Sequence, residues 1–284
     1  MTTATATPAI TATATRKRPP FPVRRMSFDY AESSRYWFDG NPFFTHFMNA
    51  MSGIFPQGEL YLIESLRQIR EGIKDPVLQA EIGAFIGQEA WHSKEHTAFN
   101  RYADEQGIDI ATSERRMLRL YKLMRKVLPI KHNMAVGCAI EHVTATLGAA
   151  VLRREDWSER IKGPVGQLWL WHAVEENEHK AVFMDAYEAI GGAYGARVFY
   201  MATAGGILAV LILRNMLRLL WADGKLSAPQ FLKFVWEFFG PKGIADGRVV
   251  KEFLDYYRPG FHPYDHDTLE LQQHWRQRMN LAEA

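Results

Sequence analysis

The chain has 284 residues, 47% of them hydrophobic and 23% charged, with a net charge of +2. That is enough apolar material for one sizeable core, and the near-neutral balance gives no ground for a nucleic-acid or strongly acidic partner. The single cysteine, Cys138, excludes an intrachain disulfide and fits a reducing, cytoplasmic compartment.

The first stretch is Thr/Ala-rich and ends in Arg16-Lys17-Arg18-Pro19-Pro20. A secretory signal places positive charge before an apolar run, whereas here it follows a polar one. Residues 1–25 are therefore expected as a disordered tail, and residues 26–284 as a single helical metal-binding domain. Helical periodicity begins near Asn41. A first helix is expected over 42–71, with a break at Phe55-Pro56-Gln57-Gly58. Gly72, Asp75 and Pro76 then supply a C-terminal cap, an N-cap and a first helical residue. They open a second helix over 76–105, which ends near Gly107. A long connection follows, holding a short helix over 113–127 that is capped by Ser113 and stopped before Pro129. The third helix spans 131–153 and the fourth 164–190, ending at Gly191-Gly192.

A connection of that length allows the second and third helices to run parallel, the crossover of ferritin-like folds. The fold class expected is all-α: a ferritin-like four-helix bundle over about 42–190, with further C-terminal helices. Residues 198–213, bracketed by Arg197 and Arg214, form the most apolar run within a helix of about 194–222. The run falls short of the roughly 20 residues of a membrane span. It reads as a fifth helix buried against the bundle. The competing reading is a peripheral membrane contact through 198–221, helped by Leu217, Leu219, Leu220 and Trp221. Residues 226–284 read as shorter helices around a Pro/Gly-rich loop at 257–267, where His262 and His266 are expected as turn and surface residues.

The chemistry lies in a pattern that occurs twice. Glu59 precedes Glu89-x-x-His92, and Glu141 precedes Glu176-x-x-His179. Glu and His three residues apart share a helix face. Four carboxylates and two imidazoles in this order are the ligand set of a dinuclear iron or manganese site in a four-helix bundle. Facing residues of an antiparallel hairpin lie equally far from its turn. The midpoint of Glu59 and Glu89 falls at Gly72-Ile73-Lys74-Asp75-Pro76, and that of Glu141 and Glu176 in the polar stretch before Gly163-Pro164. Both midpoints land on helix breakers.

His96 lies one turn after His92, and His172 one turn before Glu176. With antiparallel helices both point to one end of the site, as hydrogen-bonding partners of the ligands, substrate contacts or further ligands. His142 points about 100° away from Glu141 and reads as a packing residue. Glu175 and Glu178 could exchange roles with Glu176. His92-Ser93-Lys94-Glu95-His96 also matches the inverted zinc-hydrolase motif, with Glu95 as general base.

Several segments resemble the bacterial family catalogued as "predicted metal-dependent hydrolase". They are Phe55-Pro56-Gln57-Gly58-Glu59, Gln88 to His96, Glu141 to Ala145, Trp171 to Lys180 and Gly260-Phe261-His262-Pro263. The resemblance covers nearly everything after the tail and implies metal dependence more firmly than hydrolysis. The ligand order is also similar to the wider ferritin-like di-iron carboxylate superfamily, which holds oxygenases, hydroxylases, desaturases and iron stores.

Three functions follow as expectations. The first is a di-iron enzyme holding two Fe ions, with Mn or Zn as substitutes, that activates O2 to oxidise a small, mostly apolar substrate. Its electrons would come from an external reductase or ferredoxin, since the chain has no nucleotide or flavin fingerprint. The second is a metal-dependent hydrolase, either zinc-type through His92, Glu95 and His96 or two-metal through all six ligands. The third is a non-catalytic ferritin-like iron-binding protein. A homodimer fits any of the three. In every case Glu59, Glu89, His92, Glu141, Glu176 and His179 are the expected metal ligands, and Glu95, His96 and His172 the expected catalytic groups.

Overall fold

The structure, a computed structural model, describes residues 21–241 and 243–281. The expected tail boundary at residue 25 is too late. Phe21 and Arg24 are buried in the helical body, while residues 1–20 lie outside the described residues.

Among the described residues there are helices and no named strand; one isolated bridge joins Phe38 to Ile161. Helix α1 (Pro42–Ser52) opens with Asn41 accepting from the amides of Phe43 and Phe44, and Pro42 fills the first turn. Helix α2 (Phe55–Arg70) follows after Gly53. A Cβ on Gly53 would lie 2.8 Å from Ile110 Cγ2, so the chain turns here on a residue with no side chain. The break thus precedes the one expected at 55–58, and Pro56 serves the start of α2 instead. Helix α3 (Pro76–Glu105) is capped by Asp75, as read from the sequence. Helix α4 (Ala111–Val127) occupies the crossover, and α5 (Ile130–Arg153) returns along the bundle. After the single turn α6 (Glu155–Ser158) comes α7 (Gly163–His179).

The fourth helix does not continue to 190. It stops at His179, turns through Lys180-Ala181 and restarts as α8 (Val182–Ala189). Neither residue of the turn is a breaker. Lys180 is held by the far C-terminal segment, where its ammonium donates to His266 O and Thr268 Oγ1.

Six contacts between helices give the bundle topology. Arg70 meets Gln79 and Pro56 meets Ser93, so α2 and α3 are antiparallel. Ala145 meets Asn177 and Cys138 meets Phe183, which sets α5 against α7 and α8. Gln88 meets His179 and His96 meets His172, which makes α3 antiparallel to α7. Helices α3 and α5 are therefore parallel, and the crossover of a ferritin-like bundle is present.

The apolar core divides into two clusters, one holding Phe44, Phe99 and Trp171, the other Tyr61, Phe85 and Phe183. In α3 the buried polar run from Gln88 to His96 separates Phe85 from Phe99. In α7 the run from His172 to His179 separates Trp171 from Val182. The polar layer between the clusters is where the chemistry sits.

Beyond the bundle come α9 (Tyr194–Ala222), α10 (Ala228–Phe239), α11 (Gly247–Asp255) and α12 (Leu269–Arg278). The expectation of a buried fifth helix fails for α9. It packs one face on α1 and α5, but only 11% of its most apolar window is buried. Helices α5 and α9 are both long and apolar enough to cross a membrane, α5 being mostly enclosed by the bundle. The loop histidines are also less exposed than expected. His262 is buried and bonds Asp185, and His266 bonds Asp255.

Candidate metal centre

Four helices bring their acidic and imidazole groups to one focus. Glu59 comes from α2, Glu89 and His92 from α3, Glu141 from α5, and His172, Glu176 and His179 from α7; all are buried. Three triads have one donor atom of each member within 4.8 Å of the others: Glu59, His92 and His172; Glu89, His92 and Glu176; Glu89, Glu141 and His179. Direct approaches are close as well. His179 Nε2 lies 3.2 Å from Glu89 Oε1 and 3.5 Å from Glu141 Oε2, and His92 Nδ1 lies 3.4 Å from Glu89 Oε1.

Buried polar atoms are almost always hydrogen-bonded. Here Glu59 Oε1 and Oε2, Glu89 Oε1, His92 Nδ1, Glu141 Oε2, Glu176 Oε2 and His179 Nε2 have no hydrogen-bond partner. Each of the six residues expected as ligands leaves at least one such atom, and all are donor atoms suited to a cation. A metal would satisfy them, so the residues present fit one.

Hydrogen bonds fix which ring nitrogen is free. Gln88 Nε2 donates to Pro22 O and Glu178 Oε2, so Gln88 Oε1 is the acceptor for His179 Nδ1 at 2.8 Å. His179 Nε2 then carries the lone pair. His92 Nε2 donates to Glu175 Oε2 at 3.0 Å, which turns Nδ1 toward Glu89; burial would lower this imidazole, but the two carboxylates outweigh it and raise it, so a metal would take Nδ1 in place of a proton. The freed nitrogens are the two that lack partners. Glu175 is thus no substitute for Glu176. It orients His92, and it is held in turn by Arg24, whose guanidinium donates to both Glu175 and Glu178. Nothing in the local pattern marks Arg24, which comes from a segment expected as tail.

His96 and His172 do meet at one end of the site. His172 Nε2 lies 2.8 Å from Glu176 Oε1, and His172 Nδ1 lies 2.7 Å from His96 Nε2. His96 Nδ1 continues to Ser52 Oγ at 2.9 Å, and Ser52 donates to Asn100 Oδ1. Glu95 is elsewhere. Its carboxylate accepts from the Phe28 amide and pairs with Lys94. It sits 100° round α3 from His96 and faces the N-terminal segment. The zinc-motif expectation fails on this point, because His92 and His96 join no common triad and Glu95 joins none.

The electrostatics follow from burial and crowding. Desolvation, and then the neighbouring carboxylates, push Glu59 and Glu141 well above the ordinary carboxyl value. Burial would also raise Glu176, but the imidazoles of His172, in hydrogen-bond contact, and His179, 3.8 Å away, outweigh it and hold that carboxyl low. Desolvation lowers His96 and His172.

Two apolar clefts reach the cluster. One has a cavity volume of about 80 Å³, runs between Phe47, Met51, Trp157 and Phe238, and ends on His172 and Glu176. The other, about 40 Å³, passes Tyr121, Leu208 and Ile212 to Glu59, Glu89 and Glu141. Phe55, Thr144 and Leu147 line both.

The sequence of residues 22–267 matches the model of one protein family, described as "Predicted metal-dependent hydrolase". The chain belongs to this family. No curated protein and no solved structure matches it. Family membership and the buried donor cluster agree: the chain belongs to a predicted metal-dependent hydrolase family and has buried His and Glu groups able to bind metal. This overturns the O2-activating oxygenase expected first, and the O2 and electron-donor requirements lose their basis with it. The donor types could not decide the matter, because carboxylates and imidazoles serve iron, manganese and zinc alike.

Proposed function

We propose that the chain is a two-metal hydrolase acting on a carbonyl substrate with a large apolar part. The observation that carries this reading is the set of buried, partnerless donor atoms, one or two on each of six side chains from four helices. Glu59, Glu89, His92, Glu141, Glu176 and His179 would hold the ions. Glu89 belongs to two of the triads, as does His92, which ties the donor groups into one centre. Two divalent ions would supply Lewis-acid polarisation of the substrate carbonyl and an acidified water.

The chain's own groups do the rest. Glu175 and Gln88 keep the two ligand imidazoles in the right tautomer. The clefts take the apolar part of the substrate and keep bulk water from the centre. His172 lines both clefts and bonds Glu176, which suits it to hold that carboxylate in place at the cleft floor. His96, behind it, sets the orientation of the His172 ring. The test is hydrolysis of nitrophenyl esters of increasing acyl length by metal-loaded protein. The reading expects turnover that rises with acyl length and is lost on chelation and in Glu176→Ala. Turnover indifferent to Glu176→Ala would overturn it.

A further inference from the structure

Helix α9 presents an outward stripe of Phe199, Ile207, Val210 and Leu213, all exposed, with no charge between Arg197 and Arg214. Apolar surface of this extent on a folded chain marks a contact with something. Its neighbour α4 has the opposite character. Arg115, Arg119, Lys122 and Lys126 are all exposed, and none has an ion pair with a carboxylate among the described residues.

The two helices lie side by side and antiparallel. Arg218 bonds Asp109 and Ser113 at the start of α4. Arg116 feels the charge of Arg214. Tyr121 faces Leu208 and Ile212 across the cleft that descends to Glu59 and Glu141. Trp221 at the end of α9 is exposed, as are Trp236 and Phe239 on α10.

An apolar helix face flanked by cations, with a tryptophan at its end, fits the interface of an anionic lipid bilayer. We propose that α9 and α4 dock the protein on such a membrane, with the cleft between them open toward the lipid. The inner face of α9 stays on α1 and α5, so the helix would lie in the plane of the headgroups and not span the membrane. The charge row selects lipid over a second copy of the chain, since symmetric pairing of this face would bring two sets of cations together. The inference goes beyond the hydrolase reading and does not depend on it.

The test is co-sedimentation of the full-length, metal-loaded protein with phosphatidylcholine vesicles, with and without phosphatidylglycerol. Binding is expected to the phosphatidylglycerol vesicles, weakening as salt rises. The triple variant Ile207→Gln, Val210→Gln, Leu213→Gln should abolish it. Alanine at Arg115, Arg119, Lys122 and Lys126 together should weaken it about tenfold or more. These side chains are exposed, and an unchanged metal content and melting curve would show that the variants remain folded. Absence of wild-type binding, or binding indifferent to the α9 triple variant, would overturn the proposal. So would a dimer in vesicle-free solution, seen by sedimentation velocity, that the triple variant dissolves, because a second copy would then own the face.

Discussion

Replacing Glu175 with Gln tests how the centre is supported without touching a proposed ligand. Glu175 accepts from His92 Nε2 at 3.0 Å through one oxygen and from Arg24 Nη1 at 2.8 Å through the other. Both neighbours are donors. A glutamine has one oxygen and one NH2, so it can satisfy only one of them and must aim a donor at the other. Loss of one charge-assisted bond costs about 1.5–3 kcal/mol. Arg24 keeps two bonds to Glu178, so no buried cation is left alone and folding should survive. If the amide serves Arg24, the His92 ring loses its anchor and its tautomer is no longer fixed. Loss of such a partner weakens metal affinity about 10–100-fold, or about 1.4–2.7 kcal/mol. The assay is competitive metal titration against a chromophoric chelator, beside urea unfolding of the metal-free protein. Glu95→Gln is the control, since that carboxylate contacts the N-terminal segment and should leave affinity unchanged. Equal affinities for wild type and Glu175→Gln, or a loss in Glu95→Gln as large, would refute the argument.

Other consequences are as direct. A Cβ on Gly137 would lie 2.0 Å from Phe183 Cε1, in a ring packed against Phe85, so Gly137→Ala should cost about 1–3 kcal/mol or more in urea unfolding. Asp223 accepts from Arg35, Tyr36 and His46; burial would raise its carboxyl, but these bonds win and bring it down to about 2. Since the folded value lies below the unfolded 3.8, its contribution is complete above that pH and disappears as pH falls through about 2. The stability gap between wild type and Asp223→Asn should therefore be constant near neutrality and close in acid. Thr144 lines both clefts, so Thr144→Phe should raise KM for long-chain esters at least several-fold while metal content stays the same.

The sequence carried the six donors and the hairpins that join them, because ligand spacing on helices and the Gly, Asp and Pro at the turns are local signals. It also carried the meeting of His96 with His172, which follows from an antiparallel pair. What it missed depends on distant contacts. Arg24 reaches Glu175 across 151 positions, and no local pattern announces that. The turn after His179 contains no breaker and is held by residues some 86–88 positions away. Glu95 matched a motif by spacing alone, yet a 100° rotation turns it toward Phe28. Composition gave the apolarity of α9, but whether its outer face has a partner is a property of the packed chain. Oxygenase and hydrolase sites share donor types, so family membership had to separate them.

The central claim is that Glu59, Glu89, His92, Glu141, Glu176 and His179 hold two ions together. The most direct test is metal content per chain by elemental analysis, for wild type and for the double variant Glu59→Ala, Glu176→Ala. The account predicts two metal atoms per wild-type chain and fewer than one in the variant. One atom or none in the wild type, or a variant that retains both, would contradict it.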